Sequence, residues 1–141
     1  MIMASIVSAK RDAAKVNEGD WVRLHLEDDP DKDAFLRTLG HTDAFRDALA
    51  RRVGKIAQNY GGNASRIPTA VARAVDIDLY STLLFKDIRG LEDEQGQPID
   101  FERFCDLIRQ PDYLPLFNLC VAAVASIGQM QDEAKETAAK N

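Results

Sequence analysis

Residues 68–88 read PTAVARAVDIDLYSTLLFKDI. Proline is tolerated in a first helical turn, where its missing N–H has no intrahelical partner to lose. Val71, Val75, Leu79, Leu83 and Phe85 then recur at spacings that keep them on one side, with Asp76, Asp78 and Lys86 among the polar positions. The spacing predicts one helix from Pro68 to about Ile88, stopped by Gly90.

The segments on either side extend the pattern. Upstream, Thr42 is placed as an N-cap with Asp43 in the first turn, and Phe45, Leu49, Val53, Ile56 and Tyr60 form a stripe that ends at Gly61-Gly62-Asn63. Downstream, Gly90 to Asp100 is an acidic loop rich in Gly and Pro. Within it Gly96, in Gln-Gly-Gln, suits a positive φ, and Pro98 helps aim the next helix. Ile99, Asp100 and Phe104 have the spacing of a hydrophobic staple around an N-cap. The structural turn is thus Gly90, Leu91, Gly96, Pro98, Ile99 and Asp100. A short helix to about Arg109 follows, and Pro111-Asp112 turns the chain into a fourth.

That fourth helix is apolar almost all round. Either it is the central helix of the fold or part of it is covered by another subunit or a partner, since a small domain has difficulty enclosing one helix completely, and Leu116, Phe117, Leu119, Cys120, Val124 and Ile127 are its candidate partner or self-association surface. A homo-oligomer is the expectation.

Before Gly40 the pattern changes period. Trp21 to Leu26 and Ala34 to Leu39 read as strands around a turn containing Pro30. The expected architecture is therefore mainly α: a small helical domain of about four helices with an N-terminal β-hairpin. Residues 1–18 form a poorly defined lead-in, 19–130 the single domain, and 131–141 a polar tail.

With 141 residues, 45% of them hydrophobic and 29% charged, the chain has the balance of a soluble globular domain and not of a disordered one. At this size a domain buries roughly 70% of the surface its unfolded chain exposes, so disulfides or a structural metal are not required. Lys and Arg number 18 against 23 Asp and Glu, a formal charge of −5, which works against non-specific binding to nucleic acid. Cys105 and Cys120 lie in apolar helical patterns and read as small hydrophobes, consistent with a reducing compartment. Residues 1–7 lack the basic start of a secretory signal. The apolar stretch from Leu114 to Ile127 contains Pro115 and Asn118 and is shorter than the ~20 residues of a spanning helix.

No residues suggest catalysis or a cofactor. His25 and His41 are separated from each other and from both cysteines, which argues against zinc. Asp93, Gln95, Gly96 and Glu102 fall on EF-hand ligand positions, but the first position is Leu91 and Pro98 stands where the loop needs an apolar strand residue, which argues against calcium. Gly61-Gly62 lacks the lysine of a phosphate-binding loop, and no nucleophile elbow appears. Catalytic, cofactor-binding and metal-binding residues are therefore expected to be none.

Trp21-Val22, the helix Ala44-Phe-Arg-Asp-Ala-Leu-Ala-Arg-Arg52, and above all Asp87-Ile-Arg-Gly-Leu-Glu-Asp-Glu-Gln-Gly-Gln-Pro-Ile-Asp-Phe101 make the chain resemble the phage tail assembly chaperones. Pro111-Asp-Tyr-Leu-Pro-Leu-Phe117, leading into the apolar helix, belongs to the same plan, and the resemblance spans roughly Gly19 to Met130. The chain departs from it at Ile88, where related sequences often carry Trp, and in a more acidic hairpin turn. The resemblance implies a non-catalytic protein of long-tailed phages or tail-like particles that binds the tape-measure protein and helps recruit tail-tube subunits. It would act in the host cytoplasm and be absent from the finished particle. It also implies a longer product made by frameshifting near the codons of Ala139, Lys140 and Asn141. The reading from another class is a DNA-associated regulator using the basic helix 42–60, with Arg46, Arg51, Arg52 and Lys55.

Overall fold

The computed structural model of the chain describes residues 2–29 and 31–129. In order, it forms helix α1 (Ala13–Glu18), strands β1 (Asp20–Leu24) and β2 (Ala34–Thr38), helices α2 (Asp43–Ala57) and α3 (Thr69–Leu79), strand β3 (Phe85–Arg89), and helices α4 (Phe101–Leu107) and α5 (Leu114–Ser126). The strands make one antiparallel sheet in the order β1-β2-β3. The fold is therefore mixed α/β, with five helices and three strands among the described residues. This corrects the expected mainly helical domain of about four helices carrying only a hairpin.

The correction lies inside residues 68–88. The helix that begins after Pro68 stops at Leu79, widens into a π turn over Tyr80–Leu84, and the chain then runs extended. Ser81 Oγ donates back to the Ile77 carbonyl at 2.7 Å. The Leu84 carbonyl, freed from the helix, accepts from the Leu39 N–H at 3.0 Å and the Thr38 hydroxyl at 3.1 Å. The helical spacing of Phe85 and Ile88 has its own cause in a bulge: Thr38 faces Phe85 and Arg37 faces Asp87, so Lys86 is an extra residue on β3. A bulge breaks the two-residue alternation. Phe85 and Ile88 both reach the core, 2% and 7% exposed, at the three-residue spacing that imitates a helix face.

The hairpin forms where its pattern placed it, with Val22 opposite Leu36 and Leu24 opposite Ala34. Its inner face carries Leu24, Leu36 and Thr38, all buried, and α5 packs on β1 and β2. Tyr80 sits at the centre of an aromatic group, with ring centroids 4.8 Å from Phe45, 5.6 Å from Phe117 and 5.8 Å from Phe85. Such tilted and edge-on pairs add to the burial of their area.

Helix α5 takes its cover from the β1–β2 hairpin. Leu116, Phe117, Cys120, Val124 and Ile127 are all buried within this one chain, and Leu119 is half-buried. Phe117, Cys120, Val124 and Ile127 are thus core, as expected of a central helix, and not a partner surface. Burial pushes the Cys120 thiol up to about 12, so it behaves as an apolar filler. No helix among the described residues is long and apolar enough to cross a membrane.

Residues 12–18 join the same body. Val16 is 2% exposed, its carbonyl accepts from the Gly40 N–H at 2.9 Å, and the Asp12 N–H donates to the Gly128 carbonyl at 3.0 Å. The polar segment expected over 131–141, including Ala139 to Asn141, lies outside the described residues.

Candidate partner-binding groove

The acidic loop between β3 and α4 is organised by one carboxylate. Asp93 Oδ1 accepts the backbone N–H groups of Gln95 and Gln97, both at 2.9 Å, and Oδ2 accepts from Arg103 Nη1 at 2.9 Å. The backbone closes around it: the Gly96 N–H donates to the Asp93 carbonyl at 3.0 Å, and the Ile99 N–H to the Leu91 carbonyl at 2.9 Å. Glu92 and Pro98 face each other in an isolated antiparallel bridge. Asp100 caps α4 by accepting from the Arg103 N–H at 2.8 Å. Ile99 and Phe104, 8% and 0% exposed, flank that cap as the staple spacing requires. Arg103 therefore ties the turn to the helix through both its backbone and its side chain.

Asp93 is held below its ordinary value of 3.8, first by the Arg103 hydrogen bond and then by the N–H groups of Gln97 and Gln95. A depressed carboxylate stabilises the fold above the unfolded value, and that stability is lost as pH falls through the lower folded value. Stability measured by urea unfolding is expected to fall off on acidification below about pH 4, less steeply in Asp93→Asn. Some slope remains in the variant, because Arg52 and Arg109 hold Asp78 low as well.

Gly96 has φ of 76°, and a Cβ there would meet nothing within 4 Å. Gly96→Val is therefore expected to cost about 1–2 kcal/mol from backbone conformation alone, read as a lower urea midpoint at unchanged slope.

Between this turn and the helices lies a cavity of about 280 Å³. Leu91, Ile99, Leu107 and Leu116 give it an apolar lining, Tyr113 stands at its mouth at 38% exposure, and Glu92 and Glu94 lie on the turn side. The sequence singled out Leu91 and Ile99 as turn residues and Leu116 as part of a helix surface. The structure brings these three together, while Phe117, Leu119, Cys120, Val124 and Ile127 do not line the groove. Arg103, Leu107 and Tyr113 were not singled out, since nothing in their local spacing tells that they converge.

Other polar groups are held within the fold. His41 Nε2 lies 2.7 Å from the Tyr80 hydroxyl, and burial, aided by Arg46, lowers its pKa. The cavity beside it, about 250 Å³, is lined by Lys10, Arg11 and Arg46 and, among the described residues, by no Ser, Cys or carboxylate. On α2, Arg52 pairs with Asp78 of α3, which also takes Arg109 at 3.4 Å. Arg46 and Arg52 of helix 42–60 thus have different surroundings. Among the described residues no group of three or more His, Cys, Asp or Glu could hold a metal ion.

These features define a small mixed α/β protein with an acid-rimmed apolar groove. Residues 40–141 match the family model of the YdaY prophage protein, and the chain belongs to that family. The match spans α2 to the C-terminus and includes the whole groove. It establishes a phage-derived protein and carries no statement about tails. Neither the curated proteins nor the solved structures gave a match.

Proposed function

We propose that the protein is a non-catalytic assembly chaperone that binds the tape-measure protein and helps recruit tail-tube subunits while a phage tail is built. On this reading it works in the host cytoplasm and is absent from the finished particle. The observation that carries the reading is the groove at Leu91, Ile99, Leu107, Leu116 and Tyr113 with its acidic side. An apolar pocket beside carboxylates suits a helical segment that presents one apolar anchor next to Lys or Arg. The prophage family and the resemblance of the Gly90 to Phe101 segment to tail assembly chaperones support the same direction.

The test is co-expression with a phage tape-measure protein and capture of the complex. Tyr113→Glu, a change at an exposed ring, is expected to weaken capture about tenfold or more without lowering the melting temperature. Reversing Glu92 and Glu94 to Lys is expected to do the same through charge. Capture unaffected by both changes would place the contact elsewhere, and a salt-dependent shift of duplex DNA in place of capture would favour the DNA-associated reading of helix 42–60.

A further inference from the structure

The face of the sheet turned away from α5 has a different character. Register places Trp21, Arg37 and Asp87 in one row across the three strands and Arg23, Phe35 and Arg89 in the next. Arg37, Asp87 and Arg89 are exposed, while Trp21, Arg23 and Phe35 are half-buried. The Arg89 guanidinium lies 4.4 Å from the Trp21 ring centroid and 5.4 Å from that of Phe35. Arg23 is paired with Asp33, and Asp87 accepts from the Ile88 N–H at 2.8 Å. Arg37 and Arg89 have no ion pair among the described residues.

We propose that this sheet face docks a carboxylate-bearing, partly apolar peptide segment of a partner protein, distinct in charge from the segment proposed for the groove. A guanidinium stacked on an aromatic ring keeps its N–H edges free, and the planar fork matches a carboxylate in two parallel hydrogen bonds. Trp, Phe and Arg are residue types that anchor protein interfaces, and here they are gathered on one face of a chain whose net charge is −5. Two guanidiniums without an ion pair among the described residues, one of them stacked on the aromatic rings, therefore complement acidic and apolar side chains together.

A nucleic acid fits this face less well. The ring face of Trp21 that a base would stack on is already covered by Arg89.

Trp21 is the sole tryptophan, so its fluorescence reports the face directly. The full chain is titrated with a short peptide alternating Glu and Leu, with the matching Gln and Leu peptide, and with oligothymidylate. The Glu peptide is expected to give a saturable change that weakens as salt rises. It is expected to bind about tenfold or more weaker to Arg37→Glu, whose side chain stacks on no ring, and to Arg89→Gln. Circular dichroism melting shows whether each variant is folded, and Arg37→Glu alone suffices if Arg89→Gln is not. No response to the Glu peptide, an equal response to the Gln peptide, undiminished binding by Arg37→Glu, or a response to oligothymidylate alone would each overturn the proposal.

Discussion

Gly90→Ala is expected to lower stability by about 3 kcal/mol, because two costs of roughly 1–3 kcal/mol each fall on one methyl group. The backbone at Gly90 has φ of 80°, and a Cβ there would stand 2.3 Å from the Asp33 carbonyl oxygen. That oxygen belongs to the chain entering β2, so relief requires the hairpin to move away from the end of β3. For a domain of this size the loss corresponds to a fall of roughly 10 °C in melting temperature. Comparison with Gly96→Ala isolates the clash, since both glycines have positive φ and, of the two, only Gly90 is crowded. Equal melting of the two variants would show that the close approach of Gly90 to Asp33 carries no weight.

Phe104→Ala is expected to be the costliest single truncation, about 3–5 kcal/mol, from lost burial and the cavity left behind. Phe104 is 0% exposed, its ring centroid lies 6.1 Å from those of Phe85 and Phe101, and it closes the staple over the Asp100 cap. Against a typical total of about 5–15 kcal/mol, the variant should show partial unfolding at moderate temperature. Chemical denaturation gives the figure, and Phe104→Leu, which leaves a smaller void, should retain more of it. A loss below about 1 kcal/mol would mean that the junction of α4 with β3 is not part of the cooperative core.

Where side-chain chemistry acts locally, the sequence was readable. Thr42 and Asp100 cap their helices as expected, each accepting from the N–H three residues on, at 3.1 and 2.8 Å. The β1–β2 hairpin announced itself by alternation. The third strand did not, because the extra Lys86 puts Phe85 and Ile88 on one face at helical spacing. The apolar circumference of α5 is met from several sides at once, by β1 and β2 and by the aromatic group that Phe117 joins at Tyr80 and Phe85, which no local spacing announces. The groove was half legible. Leu91 and Ile99 belong to a turn whose Gly, Pro and Asp residues are recognisable in line, whereas Leu107, Tyr113 and Arg103 reach it only through the packing of α4 and α5. The stacking of Arg89 on Trp21 depends on β3 pairing with β2 and could not be seen without that strand.

Amide hydrogen exchange, compared between the chain alone and the chain mixed with a tape-measure protein, tests the groove as the proposed docking site most directly. Engagement there should slow exchange in residues 91–99 and around Tyr113, and leave α2 unchanged. Protection confined to α2 or to the exposed sheet face, with the turn exchanging as fast as in the free chain, would contradict it.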